Sequence, residues 1–319
     1  MRAVFLDFAT VASSDLDAAP LASLFDEWTT FDHTPAELVR ERIDGADFVI
    51  LNKVKMTDAL IREAKSLRFI GLTATGVDNV DVEAAAQHDV AVCNIRRYCT
   101  RSVVEHVFAV ILHLARNVAP YDAAIGTGKW QQANNFCLLD FPIRELSAMT
   151  IGIIGFGELG AAVARTAEHF GMDVLIARRP GTEPQDGDGR VDFDALLERC
   201  NIVSLHCPLT DDTRNLIGAA EIARMRSDAI LVNTARGALV DAEALVEALT
   251  NGRIAGAAID VLPEEPPVNG NPLLDYRGDN LLLTPHIAWA TLEARQNAID
   301  EMAANVRAFL EGKRRNRVD

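Results

Sequence analysis

Ile151-Gly152-Ile153-Ile154-Gly155-Phe156-Gly157-Glu158-Leu159-Gly160 reads as an apolar strand that turns on glycine into a helix. The spacing G-x-G-x-x-G has a physical use. Gly155 permits the tight turn, Gly157 lets backbone approach a pyrophosphate, and Gly160 lets the helix lie close on the strand. Free N–H groups at the helix N-terminus then face the phosphates. Any tight strand-to-helix turn favours glycine, so the motif takes its weight from context. Here a helical pattern over 159–170 and a second strand over 173–177 follow directly.

Outward from this turn, apolar runs at 149–155, 173–177, 202–205, 229–233, 255–260 and 281–284 alternate with helical patterns at 159–170, 193–199, 219–225 and 241–250. Six such strands fit a doubly wound parallel sheet. Upstream, 4–8, 48–51, 69–73 and 90–94 alternate with Asp/Glu/Ala-rich helical stretches and predict another α/β unit. A longer helix starts at Ser102, with Val103, Val107, Val110, Ile111 and Leu114 on one side. The stretch 291–311 reads as one long helix with Thr291 as its N-cap. The expected fold class is α/β: two Rossmann-like, doubly wound parallel-sheet domains, one flavodoxin-like and one dinucleotide-binding. A cleft between them is the default active-site location.

A chain of 319 residues suits two domains. Its 49% hydrophobic and 24% charged content excludes disorder and collagen-like repeats. With 31 Lys+Arg against 46 Asp+Glu, the net charge of −15 repels phosphate backbones and anionic lipid. No nucleic-acid or membrane partner is expected, and an anionic substrate needs a locally basic pocket. The five cysteines form no CxxC pair, so neither a disulfide frame nor a metal site is expected. Asp7 comes too early for a signal-peptide apolar stretch, and no uncharged run approaches the ~20 residues of a membrane span. The expectation is a reduced, cytoplasmic protein. The run Lys313-Arg314-Arg315-Asn316-Arg317 reads as a solvated end.

About 20 residues past the glycine turn, an acid would bind the ribose hydroxyls of the cofactor. This chain instead has Ala177-Arg178-Arg179-Pro180. Guanidinium groups bind a 2′-phosphate that a carboxylate would repel, so NADP(H) is favoured with NAD(H) still possible. The alternative leaves both arginines solvated and the ribose on backbone groups.

Three ionisable residues follow strands of the second set: Arg236 in Thr234-Ala235-Arg236-Gly237, Glu265 before Pro266, and His286 in Thr284-Pro285-His286. Singly, each has a bland reading as a surface or satisfied group. Together they suit one chemistry, the reduction of a 2-keto acid. Arginine binds the carboxylate bidentately and polarises the carbonyl. Histidine donates the proton near neutral pH, and a neighbouring carboxylate stabilises its protonated form.

On these motifs the chain resembles the D-isomer-specific 2-hydroxyacid dehydrogenase family over nearly its whole length. The resemblance implies Arg236, Glu265 and His286 as the catalytic set. It implies Asp260 against the nicotinamide carboxamide, and Glu158, Leu159, Cys207, Pro208, Thr213, Thr234 and Ala235 lining the cofactor with Arg236. It likens Thr73-Ala74-Thr75-Gly76-Val77 to the substrate loop, so that Ala74, Thr75 and Gly76 hold the substrate carboxylate. It implies a discontinuous substrate-binding domain of 1–101 and 287–319 and an NAD(P)-binding domain of 102–286. The segment 102–146 would be a homodimer arm, with Trp130, Phe136 and Phe141 buried by a second subunit or by their own.

Trp289 and Phe136-Cys137-Leu138-Leu139-Asp140-Phe141-Pro142 are similar to the glycerate dehydrogenase, or hydroxypyruvate reductase, group. Trp289 either limits the pocket to a small substrate or packs. The chain departs from the family at Asn94-Ile95-Arg96-Arg97-Tyr98-Cys99, where many relatives read Asn-x-Pro-x-Tyr-Gly. Arg96 or Arg97 either adds positive charge at the domain junction or faces water. The expected activity is reduction of hydroxypyruvate or glyoxylate to the D-2-hydroxy acid, with His286 as acid/base. The rivals are a D-lactate-type dehydrogenase and a dinucleotide-sensing scaffold like the family's corepressor relatives.

Overall fold

Short runs of aliphatic and aromatic residues form the inner strands of two parallel sheets. Phe48–Leu51, Phe69–Leu72, Ile202–Leu205 and Ile230–Asn233 are buried at every position. Helices on both faces of a parallel sheet require such burial. The computed structural model describes residues 1–12, 14–183 and 187–319, and the chain divides into two compact units. One is Met1–Cys99 with Trp289–Asp319, and the other is Thr100–Ala288.

In the first unit, β1 (Arg2–Phe5), β2 (Glu27–Thr30), β3 (Phe48–Leu51), β4 (Phe69–Leu72) and β5 (Ala91–Cys93) run in the order β2-β1-β3-β4-β5. Every pairing is parallel. That is the flavodoxin-like order. Helices α1 (Ala19–Ala22), α2 (Val39–Ile43), α3 (Asp58–Glu63) and α4 (Val82–Gln87) connect the strands. One face buries Val4, Val49, Ile70 and Val92, and the other buries Phe5, Phe48, Phe69 and Ile50.

The second unit opens with α5 (Thr100–Ala115) and α6 (Val118–Gly126). It continues through β6 (Thr150–Ile154), α7 (Glu158–His169), β7 (Asp173–Ala177), β8 (Arg190–Val191), α8 (Phe193–Arg199) and β9 (Ile202–Leu205). Then come α9 (Ala219–Arg224), β10 (Ile230–Asn233), α10 (Ala242–Thr250), β11 (Gly256–Ile259), α11 (Pro272–Asp275) and β12 (Leu281–Leu283). The order β12-β11-β10-β9-β6-β7-β8 is the dinucleotide-binding arrangement with one added strand, and β6 and β9 meet where it reverses. The last helix, α12 (Leu292–Leu310), returns to the first unit, where Ile299, Met302, Ala303 and Val306 join its core. Thr291 caps it by accepting from Ala294 N.

Two strands lack the pattern that exposes strands in a sequence. β2 is an edge strand whose residues are almost all exposed, so no apolar run marks it. β8 is two residues long. The basic end is also not solvated as expected. Arg315 grips Glu301 through two contacts of 2.9 and 2.8 Å, Val318 N donates to Val92 O, and Arg317 bridges antiparallel to Cys93. The tail thus covers the outer edge of β5, and unpaired edges favour such cover. Among the described residues no single helix is long and apolar enough to cross a membrane. The pair α5 and α6 passes on length and composition but bends by 54°.

Candidate active site

The glycine turn between β6 and α7 is shaped by close approach. Gly155 has φ +94°, and a Cβ there would lie 2.4 Å from Cys207 N and 2.6 Å from His206 C. A Cβ on Gly160 would lie 2.0 Å from Gly155 O, so the helix start closes onto the turn. Gly157 differs, since among the described residues nothing beyond its chain neighbours lies within 4 Å of its Cβ position. The turn is therefore packed at two glycines and open at the third.

Among the described residues, three polar atoms at the same sheet edge are buried without a hydrogen-bond partner: Arg178 Nε after β7, His206 Nδ1 after β9 and Thr234 Oγ1 after β10. The open face at Gly157 and these atoms fit a dinucleotide. Burial pushes the His206 imidazole down to about 4, and its Nε2 lies 2.9 Å from Ser204 Oγ, so the ring is neutral at pH 7. Glu158 begins α7 and accepts from Thr100 Oγ1, while Leu159 beside it is half-buried. Cys207 and Pro208 follow β9, and Thr213 stitches that loop by donating to Pro208 O at 2.8 Å. Thr234 and Ala235 follow β10, where Asn233 Oδ1 accepts from Ala235 N and Asn233 Nδ2 donates to Arg236 O.

The two arginines after β7 diverge. Arg178 is only 12% exposed at its side chain and pairs with Asp192, with Asp188 3.8 Å away. Beside it lies a hollow of about 550 Å³ that Asp192, Asp194 and Glu198 line together with both arginines. Three carboxylates there oppose a phosphate. Arg179 is exposed and meets Asp212 of the loop after β9 at 3.2 Å. Neither arginine is simply solvated.

His286 and Glu265 meet directly, with Nδ1 2.6 Å from Oε2. Glu265 is fixed in turn because its Oε1 accepts from Leu262 N at 2.8 Å. His286 sits at φ +54°, a left-handed conformation that side chains avoid and that functional sites often impose. Asp260, 2% exposed, holds it there. Its backbone carbonyl accepts from His286 N at 2.7 Å. Its carboxylate accepts from Thr284 Oγ1 at 2.6 Å and from Ile287 N and Ala288 N at 2.9 Å each. Asp260 is therefore committed to the histidine loop through both oxygens. Arg236 is exposed, and Gly237 after it packs on the Leu262 and Pro263 backbone, which joins the arginine loop to that of Glu265.

In the first unit, Ala74, Thr75 and Gly76 follow β4, with Thr75 exposed and its neighbours half-buried. Trp289 is half-buried, with its ring edge-on to Tyr98 at 6.1 Å.

Three supporting residues escaped the sequence reading. Asn233 shapes the arginine loop and Thr284 serves Asp260. His106 of α5 places Nε2 3.3 Å from Thr284 Oγ1 and 3.9 Å from Asp260 Oδ1. The available signal for His106 was a polar ring within an apolar helical stripe, between Val103 and Val107.

A sequence profile of the D-isomer specific 2-hydroxyacid dehydrogenase NAD binding domain matches residues 108–288. The chain is 43% identical over 286 residues to a glycerate dehydrogenase of Methylorubrum extorquens, covering 90% of this chain and 89% of that one. It is 35% identical over 318 residues to a hydroxypyruvate reductase of Blautia hydrogenotrophica, covering 98% of each. Among solved structures it resembles the acyclic imino acid reductase Bsp5 in complex with NADPH and D-Arg. That match has a TM-score of 0.86 and 28% identity over the whole of both chains.

Proposed function

Because this chain belongs to the D-isomer-specific 2-hydroxyacid dehydrogenase family, we propose that it reduces small 2-keto acids, hydroxypyruvate and glyoxylate foremost, to D-2-hydroxy acids. It is an oxidoreductase acting on CH–OH groups with a nicotinamide dinucleotide. The observation that carries the reading is the 2.6 Å His286–Glu265 pair, on the same sheet as a glycine turn left open at Gly157.

When bound, the nicotinamide supplies the hydride that the carbonyl carbon takes up. His286 Nε2 gives its proton to the carbonyl oxygen, which becomes the new hydroxyl. Glu265 orients the ring through Nδ1 and balances the imidazolium charge. Arg236 takes the substrate carboxylate in its guanidinium fork and polarises the adjacent carbonyl. The 74–76 loop offers backbone N–H groups to a substrate carboxylate, and Trp289 restricts the substrate to small groups.

NADP(H) is the favoured cofactor, NAD(H) the second. Arg179 is the arginine that reads a 2′-phosphate, because its side chain is exposed and its Asp212 pair lies in solvent, whereas Arg178 is largely covered and held by Asp192. The protein works as a homodimer through 102–146. Phe136 is 91% and Leu139 81% exposed, areas that a second subunit would cover, whereas Phe141 packs on Tyr121 at 5.2 Å. All five cysteines are free, which supports a cytoplasmic location.

The test is His286→Ala. Its kcat with hydroxypyruvate is expected to fall about 10²–10⁴-fold with dinucleotide affinity unchanged. Unchanged turnover would remove His286 from the mechanism.

A further inference from the structure

The loops that leave β4 and β5 are stitched together at the carboxyl edge of the first sheet. Ile95 N donates to Ala74 O at 3.1 Å, and Thr75 Oγ1 donates to Ile95 O at 3.1 Å. Asn94 is buried, and its Nδ2 donates to Thr75 O at 2.7 Å. That turns the Asn94 amide oxygen the other way, where it accepts from Arg96 Nε at 3.4 Å. One amide therefore separates the Arg96 guanidinium from Thr75. Arg96 is exposed, and among the described residues this is its one side-chain hydrogen bond, so both Nη groups are uncommitted.

The acid at the end of β1 does not neutralise it. Asp7 spends its carboxylate on the backbone N–H groups of Asn52, Lys53 and Val54. A guanidinium with two open donor groups is thus held beside the substrate loop of a chain whose net charge is −15.

A simple 2-keto acid has one carboxylate, which the 74–76 backbone already serves. We propose that Arg96 is a specificity-determining residue that binds a second anionic group, a carboxylate or a phosphate, on the 2-keto acid substrate. The planar fork of arginine suits either anion bidentately. This inference rests on the reading that 74–76 holds the substrate carboxylate.

The test compares kcat/KM for hydroxypyruvate, oxaloacetate and 3-phosphohydroxypyruvate in the wild type, Arg96→Gln and Arg96→Lys. The wild type is expected to turn over at least one dianionic substrate, and which one distinguishes carboxylate from phosphate. In Arg96→Gln, its kcat/KM relative to hydroxypyruvate falls roughly tenfold or more, mostly through KM, with partial recovery in Arg96→Lys. An unchanged ratio overturns the proposal, because Arg96 then acts on the shared carboxylate or on nothing. Turnover of hydroxypyruvate with both dianions silent overturns it as well and leaves the reductase reading standing. Silence with all three overturns both.

Discussion

Replacing Gly155 by alanine sets a methyl group against backbone that has no side-chain freedom with which to yield. The new Cβ would lie 2.4 Å from Cys207 N and 2.6 Å from His206 C, at φ +94°. The positive φ costs about 1–2 kcal/mol. Relief of the overlap costs about 1–3 kcal/mol. Shifting the turn after β9 strains the His206 N to Ile154 O hydrogen bond, now 2.7 Å, a loss of about 1 kcal/mol. The sum is roughly 4 kcal/mol, a fall in Tm of about 10 °C for a unit of this size.

Gly157→Ala is the control two residues on. Among the described residues nothing beyond its chain neighbours lies within 4 Å of its Cβ position and its φ is −85°, so stability should change by less than about 1 kcal/mol. Its methyl group would still occupy the space that a pyrophosphate needs, so Kd for NADPH should weaken about tenfold or more. Thermal unfolding by circular dichroism and fluorescence titration with NADPH separate the two effects. Equal Tm losses in the two variants, or wild-type affinity in Gly157→Ala, would refute the assignment of packing to one glycine and ligand approach to the other.

Asp260→Asn sets an amide N–H₂ against backbone donors at Ile287 or Ala288, at a cost of about 2 kcal/mol. It should lower both Tm and kcat, and a change in neither would deny Asp260 its hold on the His286 loop. Hydrogen bonds from Arg226 and then Arg144 hold the Asp228 carboxyl at about 2 against the usual 3.8. Because the folded value is the lower one, this stabilisation is present above about pH 4 and lost as pH falls toward 2. Denaturant unfolding across that range should show an advantage over Asp228→Asn of about 1 kcal/mol at neutral pH, discounted for solvent screening, that vanishes in acid. Arg179→Ala should raise KM for NADPH more than for NADH. Arg178→Ala should instead lower Tm through loss of the Asp192 pair, and the reverse pattern would exchange their roles.

Much of this architecture is legible because its cause is local. Strands such as Phe48–Leu51 and Ile202–Leu205 are buried on both faces, so they stand out as unbroken apolar runs. The glycine turn is legible because its three glycines fall within ten residues of chain, two under steric demand at Gly155 and Gly160 and one left open at Gly157. His286 and Glu265 could be named as candidates from their positions after strands. Their 2.6 Å contact depends on where two loops converge. Arg178 looked available because its partners come from the returning chain at Asp188 and Asp192, and no local rule announces that pairing. The tail misled for the same reason, since its arginines meet Glu301 and Asp319 only once it folds along β5. The clamp by Asp260 and the left-handed φ of His286 are properties of the folded loop.

We propose that His286, Glu265 and Arg236 together reduce a small 2-keto acid at the expense of a nicotinamide dinucleotide. Initial rates with hydroxypyruvate, using NADPH and NADH at matched concentrations, test it most directly. Rapid oxidation of the dinucleotide is expected, faster with NADPH. No oxidation of either, with glyoxylate and pyruvate also silent, would contradict it.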